Sequence, residues 1–339
     1  MPPYLLTGGR PFLESLDIQV LSVKERAFAT GTLKNRKTQI KTYILFALFI
    51  GIQPLSLSVK NLVRYIVFLS RSLKAFSSIR NYIDGLRFYL TINGCQFDRL
   101  YNDIQVQIVI KGLKRILDTN PVHTMPITNN LLLKIYKTLN KSDQFHITLW
   151  AAFLLAFYGF LRKSSLLPKS AQSFCKTKHL TRAAFMCTKN AIIVNVPWTK
   201  TLQNGEKPLQ IPLLPIPGSP LCPVTAVKNM FKAVPAPPHS PAFVIFQNGN
   251  LTPITHTVFV NQLRQFISVC GDESHKYSGH SFRRGGCQFA ASCQGVTLPM
   301  LMTHGDWKSS AIQRYLDNDL FTRLTVMRAM RDKINKSDC

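Results

Sequence analysis

The stretch Gly279-His280-Ser281-Phe282-Arg283-Arg284-Gly285-Gly286 sets a histidine and an arginine three residues apart. That spacing puts both side chains on one helix face or on the turn that enters a helix. Alone the pattern says little, because the chain carries a second copy in His179-Leu180-Thr181-Arg182. The residues downstream separate the two copies. Beyond His280 stand His304-Gly305-Asp306-Trp307-Lys308-Ser309-Ser310 and then Arg314-Tyr315, whereas nothing comparable stands beyond His179. Upstream, a nearly all-apolar run over 148–161 ends in Gly159-Phe160-Leu161-Arg162. Between these two landmarks, 191–198 alternates in the strand manner and 209–213 returns after Asn204-Gly205. This predicts a β-hairpin that carries Lys200, with Lys207 across its turn.

Composition sets the frame. The 339 residues hold 42 Lys+Arg against 16 Asp+Glu, a formal charge of +26, which points to a polyanionic partner. Apolar residues make up 46% of the chain and charged ones only 17%, enough for a packed core and too much for a basic disordered tail. The length predicts two domains. Residues 1–10 hold two prolines and two glycines and no apolar h-region, which speaks against secretion. The uncharged stretch 42–59, apart from any membrane reading, is broken by Gly51 and Pro54, and it predicts a buried helix followed by a turn. Eight cysteines without a Cys-x-x-Cys pair fit reduced thiols inside a cell.

Helical periodicity dominates the first third. Four amphipathic runs are predicted: one after Gly31-Thr32 with Ile40, Tyr43, Ile44, Ala47 and Leu48; one capped by Ser58; one opened by Ser77 or Ser78 and closed by Asn93-Gly94; and one over 103–117 that exposes Lys111, Lys114 and Arg115. Asp118-Thr119-Asn120-Pro121 and Pro126 interrupt the pattern. The predicted organisation is an unassigned extension over 1–30, a helical domain over 31–118, a linker over 119–126 and a second domain over 127–339. In that second domain helices are expected over 128–139, 148–161, 224–233, 257–269, 286–294, 299–302, 309–316 and 320–334, with proline-rich loops around 212–223 and 235–241. The fold class is mainly α with a small β component.

The ordered set Arg162, Lys200, His280, Arg283, Trp307 and Tyr315 resembles the tyrosine recombinases, the phage-integrase type of DNA strand-exchange enzymes, from about residue 32 to the C-terminus. The wording Gly-His-Ser-Phe-Arg-Arg-Gly-Gly and Gly-Asp-Trp-Lys-Ser is closest to eukaryotic transposon-borne members, the DIRS-like and Crypton-like elements. The resemblance implies an N-terminal four-helix DNA clamp of SAM-like type, a mixed α/β catalytic domain over 127–339, and duplex DNA as partner. It further implies a homotetramer joined through the C-terminal helix, no cofactor, metal, membrane or small-molecule substrate, and, in a eukaryotic host, the nucleus. Integration or excision of a mobile element is the implied task.

The residue types suit that chemistry. Breaking a phosphodiester without metal requires a nucleophile, cations for the charge of a pentavalent phosphorane, and an acid for the leaving 5′ oxygen. Arg162 and Arg283 would fork onto non-bridging oxygens. His280 would bond the phosphate or take the tyrosine proton. By the resemblance Lys200 is the general acid, with Lys207 as second choice, and Tyr315 attacks to form a 3′-phosphotyrosine bond. Lys111, Lys114, Arg115, Arg284 and Lys207 would contact DNA.

Two positions depart from the family. The His/Trp partner stands nine residues before the tyrosine in the family, which falls here on Asp306, with Trp307 eight and His304 eleven residues away. Trp307 is preferred, because an indole N–H donates to a phosphate oxygen and a carboxylate repels it; His304 is the alternative. Ser165 stands where an acidic residue supports the first arginine. Each residue also has a plain structural reading, such as Arg162 closing a helix dipole or Tyr315 lying in a core. The joint order favours the enzyme over its alternatives, a DNA-binding protein that has kept the fold and lost the chemistry, or a topoisomerase. Cys287, Cys293 and His304 lack the spacing of a zinc site.

Overall fold

In a computed structural model of the chain, residues 9–117, 124–199, 208–307 and 312 are described. The chain divides into two compact units, Met1–Val122 and His123–Cys339.

The described part of the first unit is helical: α1 (Gly9–Arg26), α2 (Thr30–Phe49), α3 (Val59–Ser72), α4 (Phe76–Ile92), α5 (Phe97–Tyr101) and α6 (Ile104–Leu117). The four predicted runs are α2, α3, α4 and α6. α1, in the stretch left unassigned, and the single turn α5 are additions. The Ser58 side chain accepts from the Asn61 N–H and starts α3, whose Leu62, Tyr65, Ile66 and Leu69 are buried at i, i+3, i+4, i+7. α4 turns Ile79, Ile83, Leu86 and Leu90 inward, but opens at Phe76 behind Ala75 with no side-chain cap, ahead of the expected serines. Gly94, at φ +79, ends it as expected, with Cys95 N–H returning to Leu90 O. α2 corrects its predicted stripe: Phe46 is buried and Leu48 is 63% exposed, because Leu48 falls off the face set by Tyr43 and Ala47. The 42–59 stretch is the end of α2 and a turn at Gly51, and no described helix is long and apolar enough to cross a membrane. On α6, Val106 and Leu113 are buried while Lys111, Lys114 and Arg115 are exposed.

The second unit is built around α8 (Gln144–Tyr158), in which every residue from Thr148 to Phe157 is buried. The Asp143 carboxylate accepts from Phe145 N–H to start it. Around it lie α7 (Asn129–Thr138), the single turn α9 (Lys163–Leu166), α10 (Pro223–Ala233), α11 (His256–Val269), α12 (His280–Ala291) and α13 (Leu298–His304). β1 (Phe185–Cys187), β2 (Ile192–Val196) and β3 (Leu209–Leu213) form an antiparallel meander, with Val194 opposite Ile211 and Phe185 opposite Val194. Ile192, Val194 and Val196 point into the core and their neighbours do not, the alternation that predicts the hairpin. A second hairpin, β4 (Val244–Gln247) with β5 (Asn250–Pro253), turns through Asn248 and Gly249, both at positive φ. The sequence reading assigns no element to β1 or to either strand of this hairpin. It also starts α12 at residue 286, whereas the helix begins at His280 and its two glycines lie inside it. Apart from Ile312, the expected helices over 309–316 and 320–334, and the turn at Asn204-Gly205, lie outside the described residues.

Candidate active site

Two helix ends and one helix start converge in the second unit. At the end of α8 the chain closes in a Schellman turn: Phe160 N–H donates to Phe157 O at 3.3 Å and Leu161 N–H to Ala156 O at 3.1 Å. At the end of α13 the same closure recurs, Asp306 N–H to Thr303 O at 3.2 Å and Trp307 N–H to Met302 O at 2.9 Å. The left-handed position, usually glycine, is Phe160 (φ 48) in the first and Asp306 (φ 53) in the second. In both, glycine comes one residue earlier. A Cβ on Gly305 would lie 1.7 Å from the Trp307 ring, so the indole folds back directly onto the helix end.

Arg283 ties these ends together. It sits one turn into α12 and its side chain is 2% exposed. Nη1 donates to Phe160 O in a short hydrogen bond, Nη2 donates to Gly305 O at 2.7 Å, and the guanidinium lies 3.8 Å from the Trp307 ring centroid. A cation thus occupies the negative ends of two helix dipoles and the face of an indole. Phe160, Cys287, Leu301, Trp307 and Ile312 form the apolar cluster beneath it. Burial pushes the Cys287 thiol up to about 11, so it is protonated there at neutral pH.

His280 opens α12 and is exposed. Half-buried Arg162 leads into α9, and the adjoining Lys163 packs against Gly279, where an added Cβ would stand 2.9 Å from Lys163 Cδ. The fold therefore brings the Arg162 segment, the start of α12 and the end of α13 to one place. Ser165 is buried, and its N–H donates to Arg162 O. His304, the alternative to Trp307, is half-buried with Nε2 2.7 Å from Tyr158 O and its ring 4.6 Å from Phe160, so it is engaged with the end of α8. Half-buried Arg284 donates to Thr124 O at 3.4 Å. Lys200, Lys207 and Tyr315 lie outside the described residues. Cys287, Cys293 and His304 are not assembled as ligands, and no group of three or more His, Cys, Asp or Glu among the described residues could hold a metal.

Sequence reasoning missed two features. Gly285 and Gly286 let α12 press against its neighbours, since a Cβ would meet Ile127 O at 1.8 Å and Phe157 O at 2.1 Å respectively. The second is Asp306. Its carboxylate accepts a short hydrogen bond from the Thr199 hydroxyl, and Thr199 is 3% exposed. The residue that precedes Lys200 is thereby fastened to the end of α13. Nothing in a Thr-Lys or a Gly-Asp dipeptide announces such a link; a carboxylate where repulsion bars phosphate contact is the one available signal.

This link is measurable. Thr199→Val and Asp306→Ala should each cost about 1.5–3 kcal/mol, as for a hydrogen bond to a charged group. The pair should couple by at least about 0.5 kcal/mol in a double-mutant cycle followed by urea unfolding. Asp306→Gly should recover part of the loss, since glycine carries no penalty at positive φ.

Neither protein-family models nor curated proteins match the sequence. Solved structures do. The chain is similar to the Tn1549 transposon integrase in complex with transposon right end DNA, at 15% identity and TM-score 0.65 over 93% of this chain and 98% of that one. It is similar to a lambda integrase dimer bound to a core site, at 14% identity and TM-score 0.56 over 90% and 95%. It is also similar to the XerH site-specific recombinase bound to palindromic difH substrate, at 12% identity and TM-score 0.52 over 82% and 71%. The chain therefore has the tyrosine recombinase fold, mainly helical with small antiparallel sheets.

Proposed function

We propose that this chain cuts and rejoins duplex DNA through a 3′-phosphotyrosine intermediate, as a site-specific recombinase or integrase serving a mobile element. The observation that carries this reading is the seat of Arg283. It sits between two helix ends and against Trp307, beside the segments that bear Arg162 and His280, in a fold shared with proteins solved on DNA. In this reading Arg162 and Arg283 supply positive charge at the scissile phosphate and His280 exchanges a proton there. Lys200, or Lys207 in its stead, protonates the leaving 5′ oxygen, Trp307 lines the site, and Tyr315 attacks. The phosphotyrosine bond conserves the energy of the one broken, so rejoining needs no nucleotide cofactor. Lys111, Lys114, Arg115 and Arg284 contact phosphates, the first three on a helical DNA clamp over 31–118 joined by the linker 119–126 to the catalytic domain over 127–339. The active form is a tetramer on two duplexes joined through the C-terminal helix, and in a eukaryotic host it works in the nucleus. The DIRS-like or Crypton-like wording of the motifs assigns it to a transposon of that kind.

A second reading has its own observation. Arg283 is buried with both terminal nitrogens donating to backbone carbonyls, and Ser165 stands in the place of a supporting acid. A DNA-binding protein that has kept the fold and lost the chemistry needs no more than that. Covalent trapping decides between the two. Mixed with nicked duplexes covering the flanks of its own gene and resolved under denaturing conditions, the enzyme gives a protease-sensitive shifted band that Tyr315→Phe abolishes while native binding persists. Native binding to a defined site without that band establishes the second reading. Binding in either case weakens steeply with salt, as counterion release demands.

A further inference from the structure

The second His-x-x-Arg match, set aside by its context, carries an arginine in an unusual position. Arg182 starts a 3-10 turn just before β1, and its backbone is held by the loop that joins α10 to β4: Arg182 N–H donates to Ser240 O at 3.1 Å and Ala183 N–H to Pro238 O at 2.8 Å. The side chain is only 7% exposed. Its Nε and Nη2 are enclosed without a hydrogen-bond partner, and no described carboxylate pairs with it. The guanidinium lies 4.7 Å from the ring centroid of Phe231 on α10, a contact that offsets only part of the cost of burying an unpaired cation. Burial alone lowers its pKa to about 10, which leaves it charged at neutral pH.

Arg182 borders a cleft of about 380 Å³ whose other walls are Ala183, Phe231, Pro235, Ala236 and Pro238. The composition of those walls selects a ligand. Sites for phosphate gather several donors, from side chains or from a nest of backbone N–H groups. Here there is one cation, and the two prolines have no N–H to give. A DNA strand, with successive phosphates to neutralise, finds no second cation on these walls. What one guanidinium beside an aromatic ring and two prolines suits is a single carboxylate on an apolar stem. A second copy of this chain is a poor donor, having 16 acidic residues against 42 basic ones.

We propose that the Arg182 cleft is a docking site for an acidic peptide segment of a partner protein, which seats an Asp or Glu carboxylate on Arg182 Nη1, the guanidinium nitrogen that is not enclosed, and an adjoining apolar side chain against Phe231 and the prolines. The site needs nothing from the DNA chemistry and stands whether or not that reading holds.

The test is thermal unfolding of the full chain at constant ionic strength with 3-phenylpropionate as probe. Inorganic phosphate and the neutral 3-phenylpropionamide serve as controls. The carboxylate should raise the midpoint by about 3 °C at tenfold excess over its dissociation constant, and the two controls should not. Arg182→Met, similar in volume but uncharged, should fold with an unchanged or higher midpoint and lose the response. Ala236→Phe, which fills the cleft and keeps the arginine, should lose it too. An equal response to phosphate would mark a general anion site, and an equal response to the amide a merely apolar cleft. No response, or one that survives in both variants, would make Arg182 a buried structural residue. Each of these three results overturns the proposal.

Discussion

Gly285→Ala should destabilise the second unit by about 3 kcal/mol or more, at the upper end for a small-to-large change in a packed interior. The added methyl would stand 1.8 Å from Ile127 O, 2.7 Å from its carbonyl carbon and 2.8 Å from its nitrogen. All three are backbone atoms, so no side chain can rotate away. Nor is that backbone free to yield: Ile127 N–H donates to Ser281 O at 3.0 Å, Met125 N–H donates to Lys276 O at 2.8 Å, and Thr128 caps α7 immediately afterwards. Relief must come from moving α12, and α12 carries His280 and Arg283. Helix propensity works the other way, because alanine exceeds glycine by about 1 kcal/mol in a helix interior. At Gly112 in α6 a Cβ meets nothing within 4 Å, so Gly112→Ala should show that gain undiluted. Urea unfolding of the two variants should therefore give shifts of opposite sign.

Gly285 and Gly286 together explain why the sequence misplaces α12. Gly-Gly reads as a boundary when local conformational freedom is the only consideration, and that reading yields a helix over 286–294. Here the glycines are demanded by partners distant in sequence, Ile127 and Phe157, that no local pattern reveals. The legible elements are those whose signal is their own. α8 announces itself by ten consecutive buried residues, and β2 by strict alternation. β1 has three residues of which only Phe185 is buried, and it exists because the free edge of β2 offers it a ladder. The β4–β5 hairpin carries a turn signal in Asn248-Gly249, where both residues take the positive φ of a type I′ turn. Its position among prolines masks that signal.

For the site, residue types and their order are visible in the sequence and contacts are not. Of the catalytic candidates, Arg162, His280, Arg283, Trp307 and His304 fall among the described residues, and the fold draws their segments together. Among the groups that hold Arg283 are two backbone carbonyls, of Phe160 and Gly305, and a carbonyl leaves no mark in a sequence. Both are presented by left-handed closures at residues that are not glycine. Such closures form because the surrounding apolar cluster compensates the local penalty of about 1–3 kcal/mol. A carboxylate that fastens Thr199 across more than a hundred residues of chain is equally beyond local pattern.

Arg283→Lys should cost about 2–4 kcal/mol of stability despite keeping the charge, since a hydrogen bond from a charged donor contributes about 1.5–3 kcal/mol and two are at stake. The guanidinium spans Phe160 O and Gly305 O with separate nitrogens and lays its plane near Trp307. An ammonium can take one carbonyl at a time and leaves the other buried and unpaired. Arg162→Lys is the informative contrast. Arg162 is half-buried and its stability role is limited to the start of the one-turn α9, so that change should fall within about 0.5 kcal/mol. Suppose both arginines act on one phosphate. Both lysine variants should then lose covalent DNA attachment by at least about tenfold, the cost of roughly 1.4 kcal/mol of lost bidentate contact, while only the α12 variant loses stability. Suppose instead that Arg283 serves the fold alone. A cavity-tolerant variant restabilised elsewhere, for example by Gly112→Ala, should then attach DNA as well as the parent does. Measuring attachment and unfolding on the same preparations separates the arginine that holds the site from the arginine that meets the substrate.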